Sequence, residues 1–161
     1  MPVTRAFPDA VTTVDTAAQY ELGTEWPMDA GEAEALDSTV QGPQCWVYVK
    51  ATVALAEGEI AAIADGTANY EVKLAAVAAS SKSLIGVAQH AIGINAFGWI
   101  LRKGFGEVMG DSGGYTVNTA LIVGDAAGAA ADLGGATAGQ AFAHATEGVG
   151  AAALGTCFIN I

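Results

Sequence analysis

The pentapeptide Gly110-Asp111-Ser112-Gly113-Gly114 has the composition found around the nucleophilic serine of trypsin-like proteases. Such a serine needs a histidine base, and a carboxylate must orient that histidine. Those proteases place the three residues in the order histidine, aspartate, serine, but the only histidine upstream of Ser112 is His90. Between the two, the only acid besides Asp111 is Glu107, and 161 residues are too few for a two-barrel protease. Because Asp, Ser and Gly also favour β-turns, we predict a turn here and no nucleophile.

The other residues that could do chemistry are isolated. His90 has no cysteine, carboxylate or second histidine near it in sequence, and His144 has only Glu147. One acid beside one histidine falls short of a metal site, which needs three or four ligands. Carboxylates two residues apart could bind calcium or transfer protons, and such pairs occur at Glu32/Glu34 and Glu57/Glu59. Both pairs lie in arm-like or turn-like segments and are interpreted as solvated charges. The sequence therefore predicts no catalytic residue, no metal site, no cofactor and no enzyme.

The charge of the chain restricts its partners. Six Lys and Arg stand against 17 Asp and Glu, which gives a formal net charge of −11. Nucleic acids and anionic membranes attract cationic chains and repel a chain of this charge, so we expect neither as a partner. A neutral or basic protein surface fits better. The longest uncharged run, residues 84–101, contains Gln89, His90, Asn95 and three glycines and would span a membrane poorly. The N-terminus lacks the apolar segment of a signal peptide, so we expect a soluble chain.

Charge and proline mark residues 1–43 as an acidic N-terminal arm. They contain eight acids, Arg5 as the single base and all four prolines. Disordered tails have few aromatic residues, whereas this arm has several, so it is predicted to dock on something. The predicted protein-interface residues are Phe7, Tyr20, Leu22 and Trp26, together with Trp46 in the strand that follows. Residues 117–161 contain no Lys or Arg, which fits either contact with other protomers or a tightly packed region of small residues.

Short β-rich segments separated by glycine-bearing turns begin at Gln44. This spacing predicts an all-β domain over residues 44–161, a small β-barrel, β-tulip-like or sandwich domain that carries the extended arm. Cys45 and Cys157 are interpreted as small core hydrophobes, with a disulfide between them left open. The predicted strands are residues 45–50, 60–63, 70–74, 84–89, 97–102, 106–109, 115–117, 121–123, 140–145 and 156–161. Residues 30–36 are predicted as a short helical turn and residues 125–140 as loop, with a helix over Ala126–Asp132 as the alternative.

Several stretches in order carry a resemblance to a known family. They are Tyr20–Thr24 (YELGT), Gln44–Ala51 (QCWVYVKA), Leu84–Ala88 (LIGVA), Ala96–Ile100 (AFGWI), Ala120–Gly128 (ALIVGDAAG) and Gly139–Ala145 (GQAFAHA). Together they resemble the short head-decoration, or cement, proteins that stabilise the capsids of tailed bacteriophages. The resemblance covers about residues 20–161. The acidic, proline-bearing arm and the Ala/Gly-rich residues 126–138 are less typical of that family.

The resemblance implies a β-barrel or β-tulip-like domain on the exterior of an icosahedral virion head. There the protein would bind the major capsid protein and bridge neighbouring subunits, often as a homotrimer, after synthesis in the host cytoplasm. The family has no catalytic residues to carry over. Two alternatives stay open. One is another phage structural component, such as a head fibre base, a tail tube or an adaptor subunit. The other is a carbohydrate-binding β-sandwich, which an exposed platform of Trp and Tyr would identify.

Overall fold

The structure, a computed structural model, describes residues 11–36, 42–64, 70–76, 83–134 and 141–161. The elements in these ranges are almost all strands, which confirms the predicted all-β class. The strands are β1 (Glu25–Met28), β2 (Gln44–Ala51), β3 (Ile60–Ile63), β4 (Glu71–Leu74), β5 (Leu84–Val87), β6 (Phe97–Met109), β7 (Ala120–Val123), β8 (Ala130–Asp132), β9 (Ala143–Ala145) and β10 (Leu154–Asn160). Helix α1 (Ala30–Leu36) occupies the residues predicted to form a helical turn. Within the described ranges, no helix has the length and apolar character needed to cross a membrane.

Five strands close into a barrel in the order β2, β4, β3, β5, β6. The ring closes because β2 pairs with β4 on one edge and with β6 on the other. The β2–β4 pairing is parallel, and the other pairings of the ring are antiparallel. Across the parallel seam, the Lys50 ammonium lies 2.9 Å from the Glu71 carboxylate. Closure removes the open edges that a flat sheet of these strands would expose.

Alternate side chains of the barrel strands fill its interior. Val47 and Val49 of β2, Val72 of β4 and Ile100 of β6 belong to one buried cluster. A barrel of so few strands encloses little volume, so its lining residues must be small or branched. At Gly86 on β5 a Cβ would lie 2.9 Å from the Ile100 side chain, which leaves no room for one.

Strand β6 belongs to both parts of the molecule. Its first half pairs with β2, and its second half pairs with β10 from Lys103 to Met109. Lys103 pairs with both β2 and β10, and the next residue, Gly104, has a φ of 115°. A Cβ there would lie 2.7 Å from the carbonyl oxygen of Pro43. Glycine is therefore required at this point of the strand by both the backbone conformation and the close approach.

Two glutamine side chains complete the backbone hydrogen bonding of the second half of β6. Glu107 N donates to Gln89 Oε1 at 2.7 Å, and Gln89 Nε2 donates to Glu107 O at 2.9 Å. Gln44 Nε2 donates to Phe105 O at 2.8 Å, and Gln44 Oε1 accepts from Trp46 Nε1 at 3.1 Å. These amides supply hydrogen-bond partners to the backbone of Phe105 and Glu107.

Beyond β6, the strands β10, β9, β7 and β8 form an outer sheet in this order. The last of these strands, β8, pairs with the end of β6 through a bridge between Ala130 and Gly110. The buried Tyr115 hydroxyl lies 2.7 Å from Val108 O and 3.0 Å from Gly155 O, so it ties β6 to β10. The inward side chains of the outer sheet share one core cluster with residues from the outside of the barrel.

Three strand predictions were wrong in detail. Residues 97–102 and 106–109 form the single strand β6, because the pairing with β10 begins at Lys103, where the pairing with β2 ends. Strand β8 lies where a loop or the Ala126–Asp132 helix was expected. Alanine favours a helix, but this local preference is small in energy, and the pairing of β8 with β7 overrides it. In residues 115–117, only Tyr115 pairs, through a bridge to Val149.

The described part of the N-terminal segment lies against the barrel. Strand β1 pairs with β2, with Trp26 opposite Trp46. Farther upstream, the backbone of Asp15 exchanges two hydrogen bonds with that of Phe97, both of 2.9 Å. The division of the chain into an arm of residues 1–43 and a β domain of residues 44–161 stays a prediction.

Replacing Gly104 should destabilise the fold. We expect Gly104→Ala to lower the free energy of unfolding by about 2–4 kcal/mol, from the left-handed backbone and the contact with Pro43 together. Gly93→Ala is the control, because no atom lies within 4 Å of a Cβ at that position and its φ is outside the left-handed region. Urea unfolding of both variants measures the difference. Equal losses of stability in the two variants would show that Gly104 is not specially required in β6.

Candidate interaction surfaces

Most of the residues predicted to form a protein interface pack against other residues of the same chain. Trp26 and Trp46 are 8% and 4% exposed and lie in the core cluster. Tyr20 and Leu22 are half-buried and pack against the same cluster. Phe7 lies outside the described residues. The observed contacts of this set anchor the N-terminal segment to its own barrel, and their contact with another protein stays a prediction.

An aromatic cluster makes this anchorage. The Tyr20 ring lies 5.2 Å from the rings of both Tyr48 and Trp99, centroid to centroid, and Trp26 lies 6.4 Å from Trp99. Tyr48 also stacks on Phe97 at 6.3 Å. Edge-to-face and offset arrangements of this kind add about 0.5–1.5 kcal/mol per pair beyond the burial of their area. The cluster therefore joins residues 20–26 to β2 and β6.

A hydrogen bond from Tyr48 fixes the segment farther upstream. The Tyr48 hydroxyl donates to Asp15 Oδ2 at 2.7 Å and accepts from Gln19 N at 3.2 Å. Burial, together with the neighbouring carboxylate of Asp15, raises the pKa of Tyr48 to about 12. The hydroxyl thus stays protonated and keeps its role as donor at neutral pH.

No tryptophan offers an exposed platform for a sugar. Trp26, Trp46 and Trp99 are all buried, the last at 1% exposure. Tyr48 and Tyr115 are buried as well. The tryptophans of this chain therefore do not form the exposed aromatic platform that would identify a carbohydrate-binding module.

The Gly110–Gly114 segment is a turn, as predicted. Its organiser is Asp111, which is 7% exposed. Asp111 Oδ1 accepts from Gly113 N at 2.9 Å, and Oδ2 accepts from Asp125 N at 3.1 Å. Ser112 donates its hydroxyl to the Asp125 carboxylate, and the hydrogen bonds from Ser112 lower the pKa of Asp125. The serine is thus paired with a carboxylate, and its hydrogen bonding is that of a turn.

The two histidines lie in different environments. Both ring nitrogens of His90 are buried and have no hydrogen-bond partner among the described residues, and the ring lies beside Gly98 at one end of the barrel. Burial lowers the pKa of His90. His144 is exposed on β9. Across the described residues, no three His, Cys, Asp or Glu side chains come together as a metal site would need.

The cysteines are both free. Cys157 is fully buried in the main core cluster, and Cys45 is half-buried on β2. Burial raises the pKa of the Cys157 thiol to about 11. A thiol of this kind is an inert core group, because the reactive form is the thiolate.

One uncharged exposed surface lies at the end of the barrel, and we call residues 51–55 and 92–96 the barrel tip. Here the β2–β6 ladder continues past the strands, with Asn95 N donating to Ala51 O at 2.7 Å and Leu55 paired with Ile92. This register sets Val53 opposite Ile94, which are 37% and 64% exposed. The tip is therefore a narrow projection with two aliphatic side chains in solvent.

A second exposed surface is the outward side of the outer sheet, centred on two phenylalanines. Phe105 of β6 lies opposite Phe158 of β10, with ring centroids 5.2 Å apart and the rings nearly perpendicular. Phe158 is 37% exposed. The next residues in the same row are His144 of β9 and Ala120 of β7. We call the following residues the outer-sheet face: Lys103, Phe105, Glu107, Ala120, His144, Thr156, Phe158 and Asn160.

The acidic surface is elsewhere, around α1. Asp29 Oδ1 accepts from Glu32 N at 2.9 Å, and Glu32 Oε2 accepts from Asp29 N at 3.0 Å, which is a reciprocal cap of the helix N-terminus. Glu34 is exposed on the same helix. These carboxylates stay in solvent and concentrate negative charge beside β1.

Comparison with known proteins shows a fold shared with a solved structure. No protein-family model matches the chain, and no curated protein matches it. Among solved structures, the crystal structure of the head fibre gp8.5 N base of bacteriophage phi29 aligns with a TM-score of 0.55 and 17% sequence identity. The alignment covers 73% of this chain and 94% of that one. The two chains share a fold.

The Tyr48 hydroxyl offers a direct test of how the N-terminal segment is held. We expect Tyr48→Phe to lower the free energy of unfolding by about 1.5–3 kcal/mol, because it removes a hydrogen bond to a carboxylate. Tyr20→Phe is the matched control, since the Tyr20 hydroxyl bonds no other described residue. Tyr48→Phe should also speed proteolysis between residues 11 and 24, which mass spectrometry can follow. Equal stability of the two variants would contradict this role.

His90 should make the fold sensitive to acid. Because its pKa in the folded chain lies below the ordinary value of 6.5, the unfolded chain binds the proton more readily. The stability gained by a neutral His90 is present above about pH 6.5 and is lost as the pH falls below it. We expect His90→Gln to lose less stability than the wild type between about pH 7.5 and pH 5.

Thermal unfolding at the two pH values measures this effect. The control is Ile94→Gln, which changes an exposed side chain that does not titrate and should follow the wild type. An identical pH dependence in His90→Gln and the wild type would show that His90 is not responsible.

Proposed function

We propose that this chain is a non-enzymatic structural protein of a phage virion that attaches to the outer surface of the head. The observation that carries the proposal is the fold shared with a phage head fibre base, at a TM-score of 0.55. The described residues give an argument against an enzyme. Their serine, cysteine and histidine side chains either belong to turns or to the core, or lie apart from one another. The sequence resemblance to head-decoration proteins points to the same part of the virion.

The finer proposal is that the chain binds the major capsid protein and bridges its neighbouring subunits. A ligand that binds only the assembled shell stabilises it by mass action, by about 2.7 kcal/mol per site at a free concentration one hundred times Kd. The net charge of −11 favours a basic or neutral capsid surface. The exposed carboxylates beside β1 are the natural contact for such a surface.

The second candidate is the base of a head fibre, which the comparison favours by the nature of the matched protein. The two candidates differ in copy number and in their effect on the shell. A decoration protein occupies sites in proportion to the capsid subunits and stabilises the lattice. In this second proposal the chain occupies fewer sites and carries a further chain, so that the lattice gains little from it.

Binding to phage heads tests both candidates. We expect the purified protein to sediment saturably with heads that lack it, and to bind more weakly as salt is raised, because salt screens acidic contacts. Heads that already carry the protein are the control and should take up none. Saturation in proportion to capsid subunits, with a higher temperature of shell disruption, supports the decoration role. Low saturation with an unchanged temperature supports the fibre base, and no binding to any head overturns the proposal.

A further inference from the structure

We propose that protonation of His90 releases the N-terminal segment from the edge of β6 and uncovers aromatic side chains beneath it. Residues 15–24, which we call the strap, run from the edge of β6 to the edge of β2 over the outside of the barrel. The strap is held at both ends, and His90 lies beside the upstream end. This inference goes beyond the proposed function, because it concerns the purified chain and holds whether or not the chain binds heads.

Backbone hydrogen bonds hold the two ends of the strap. At the upstream end, Asp15 N donates to Phe97 O and Phe97 N donates to Asp15 O, both at 2.9 Å. At the downstream end, Gly23 N donates to Tyr48 O at 2.8 Å, and Tyr48 N donates to Thr24 O at 2.9 Å. The upstream end is therefore paired through a single bridge, whereas the downstream end continues directly into β1.

Aromatic side chains of the barrel lie beneath the strap. The rings of Tyr48 and Trp99 each lie 5.2 Å from the ring of Tyr20, which belongs to the strap. Tyr48 and Trp99 are 0% and 1% exposed, and both belong to the core cluster outside the barrel. Because Tyr20 packs over them, release of the strap would expose them to solvent. The position of the strap thus determines whether the chain presents an aromatic surface.

His90 lies where the strap takes the place of β5 on the edge of β6. β5 pairs with β6 at Leu101, and farther along β6 Phe97 pairs with Asp15. Both pairings use the same edge, because β2 occupies the other edge at both positions. Between them, His90 Nε2 lies 3.5 Å from the position that a Cβ on Gly98 would occupy. The imidazole is therefore packed against the β6 residue next to the upstream bridge of the strap.

This site accommodates a neutral imidazole and opposes a charged one. Both ring nitrogens of His90 are buried and have no hydrogen-bond partner among the described residues. The imidazolium has a charge and two N–H donors, and burying them without partners is costly. Burial accordingly lowers the pKa of His90. A proton therefore favours any conformation that brings the ring into water, and opening of the adjacent bridge between Asp15 and Phe97 does so.

The charges around His90 do not remove this cost. The titratable and charged groups of the surrounding elements are Asp15 on the strap, Glu57 and Glu59 in the turn before β3, Tyr48 and Lys50 on β2, and Arg102, Lys103 and Glu107 on β6. Residues 92–101 contain none. The Tyr48 hydroxyl bonds the Asp15 carboxylate, and Glu57 is exposed. Burial is the one cause that shifts the pKa of His90, so the cost of protonating the closed form remains.

Hydrogen exchange of single amides, measured by NMR and corrected for its intrinsic dependence on pH, gives the test. The amides of Asp15 and Phe97 report the upstream bridge. Between pH 7.5 and pH 5 their protection should fall by up to about thirtyfold, the limit for one proton with the ordinary pKa of about 6.5 in the open form. The amide of Gly23 should keep its protection. The amide of Phe142, which bonds Leu121 O at 3.0 Å, should stay far more protected than the bridge, because it reports unfolding of the whole chain.

Variants assign the effect to the imidazole. His90→Gln removes the titrating group, so the protection of the upstream bridge should become equal at the two pH values. His90→Leu serves the same purpose if the glutamine variant folds poorly. Tyr48→Phe removes the hydrogen bond to Asp15 and should lower the protection at both pH values while keeping the pH dependence. Ile94→Gln is the control and should follow the wild type. Circular dichroism confirms that each variant folds.

Three outcomes would overturn the inference. One is a wild type in which the protection of the Asp15 and Phe97 amides is the same at both pH values. Another is a pH dependence of this protection that both His90 variants keep. The third is a loss of protection at Phe142 down to the level of the bridge, which would mean that acid unfolds the whole chain. Head binding enters none of these measurements, so failure of the proposed function would leave the inference intact.

Discussion

The whole arrangement depends on how the backbone hydrogen bonds of β6 are shared. A buried strand must satisfy its N–H and C=O groups, and β6 does so against β2 along its first half and against β10 along its second. The first set closes the barrel, and the second attaches the outer sheet. Gly104 lies beside the residue where the two pairings meet, with a φ of 115° and the carbonyl oxygen of Pro43 close to it. The amides of Gln44 and Gln89 supply the bonds that neither neighbouring strand reaches.

Much of this fold is predictable from local sequence. Dense β-branched and aromatic residues locate β2, and the alternation of apolar and charged residues locates β4. The features that sequence reasoning missed are set by partners distant in the chain. The continuity of β6 depends on β10, some fifty residues later, and β8 forms because β7 offers it an edge. Alanine and glycine carry little information about such pairings, so a helix and a strand are equally compatible with residues 126–132.

The candidate surfaces were harder to predict than the fold. The aromatic residues of the acidic segment predicted a docking element, and in the structure Trp26 and Tyr20 lie against the chain's own β2 and β6. The phenylalanine pair of the outer-sheet face gave no distinct signal, because only the register shows that Phe105 and Phe158 lie side by side. The scarcity of charge in residues 117–161 could be seen in the sequence. The sequence did not show which of these side chains are exposed to solvent, because their exposure depends on how the sheet curves around the core.

The dual role of β6 also has a consequence for synthesis. Its second half has its strand partner in β10, whose first residue follows the last residue of β6 by 45 positions. At translation rates of about 5–20 residues per second, that edge stays unpaired for roughly 2–9 seconds on the ribosome. During this time Phe105, Val108 and their neighbours form an open, largely apolar strand edge of the kind that pairs with other nascent chains. The barrel can close before β10 is synthesised. The second half of β6, however, is covered only when β10 has emerged and paired with it.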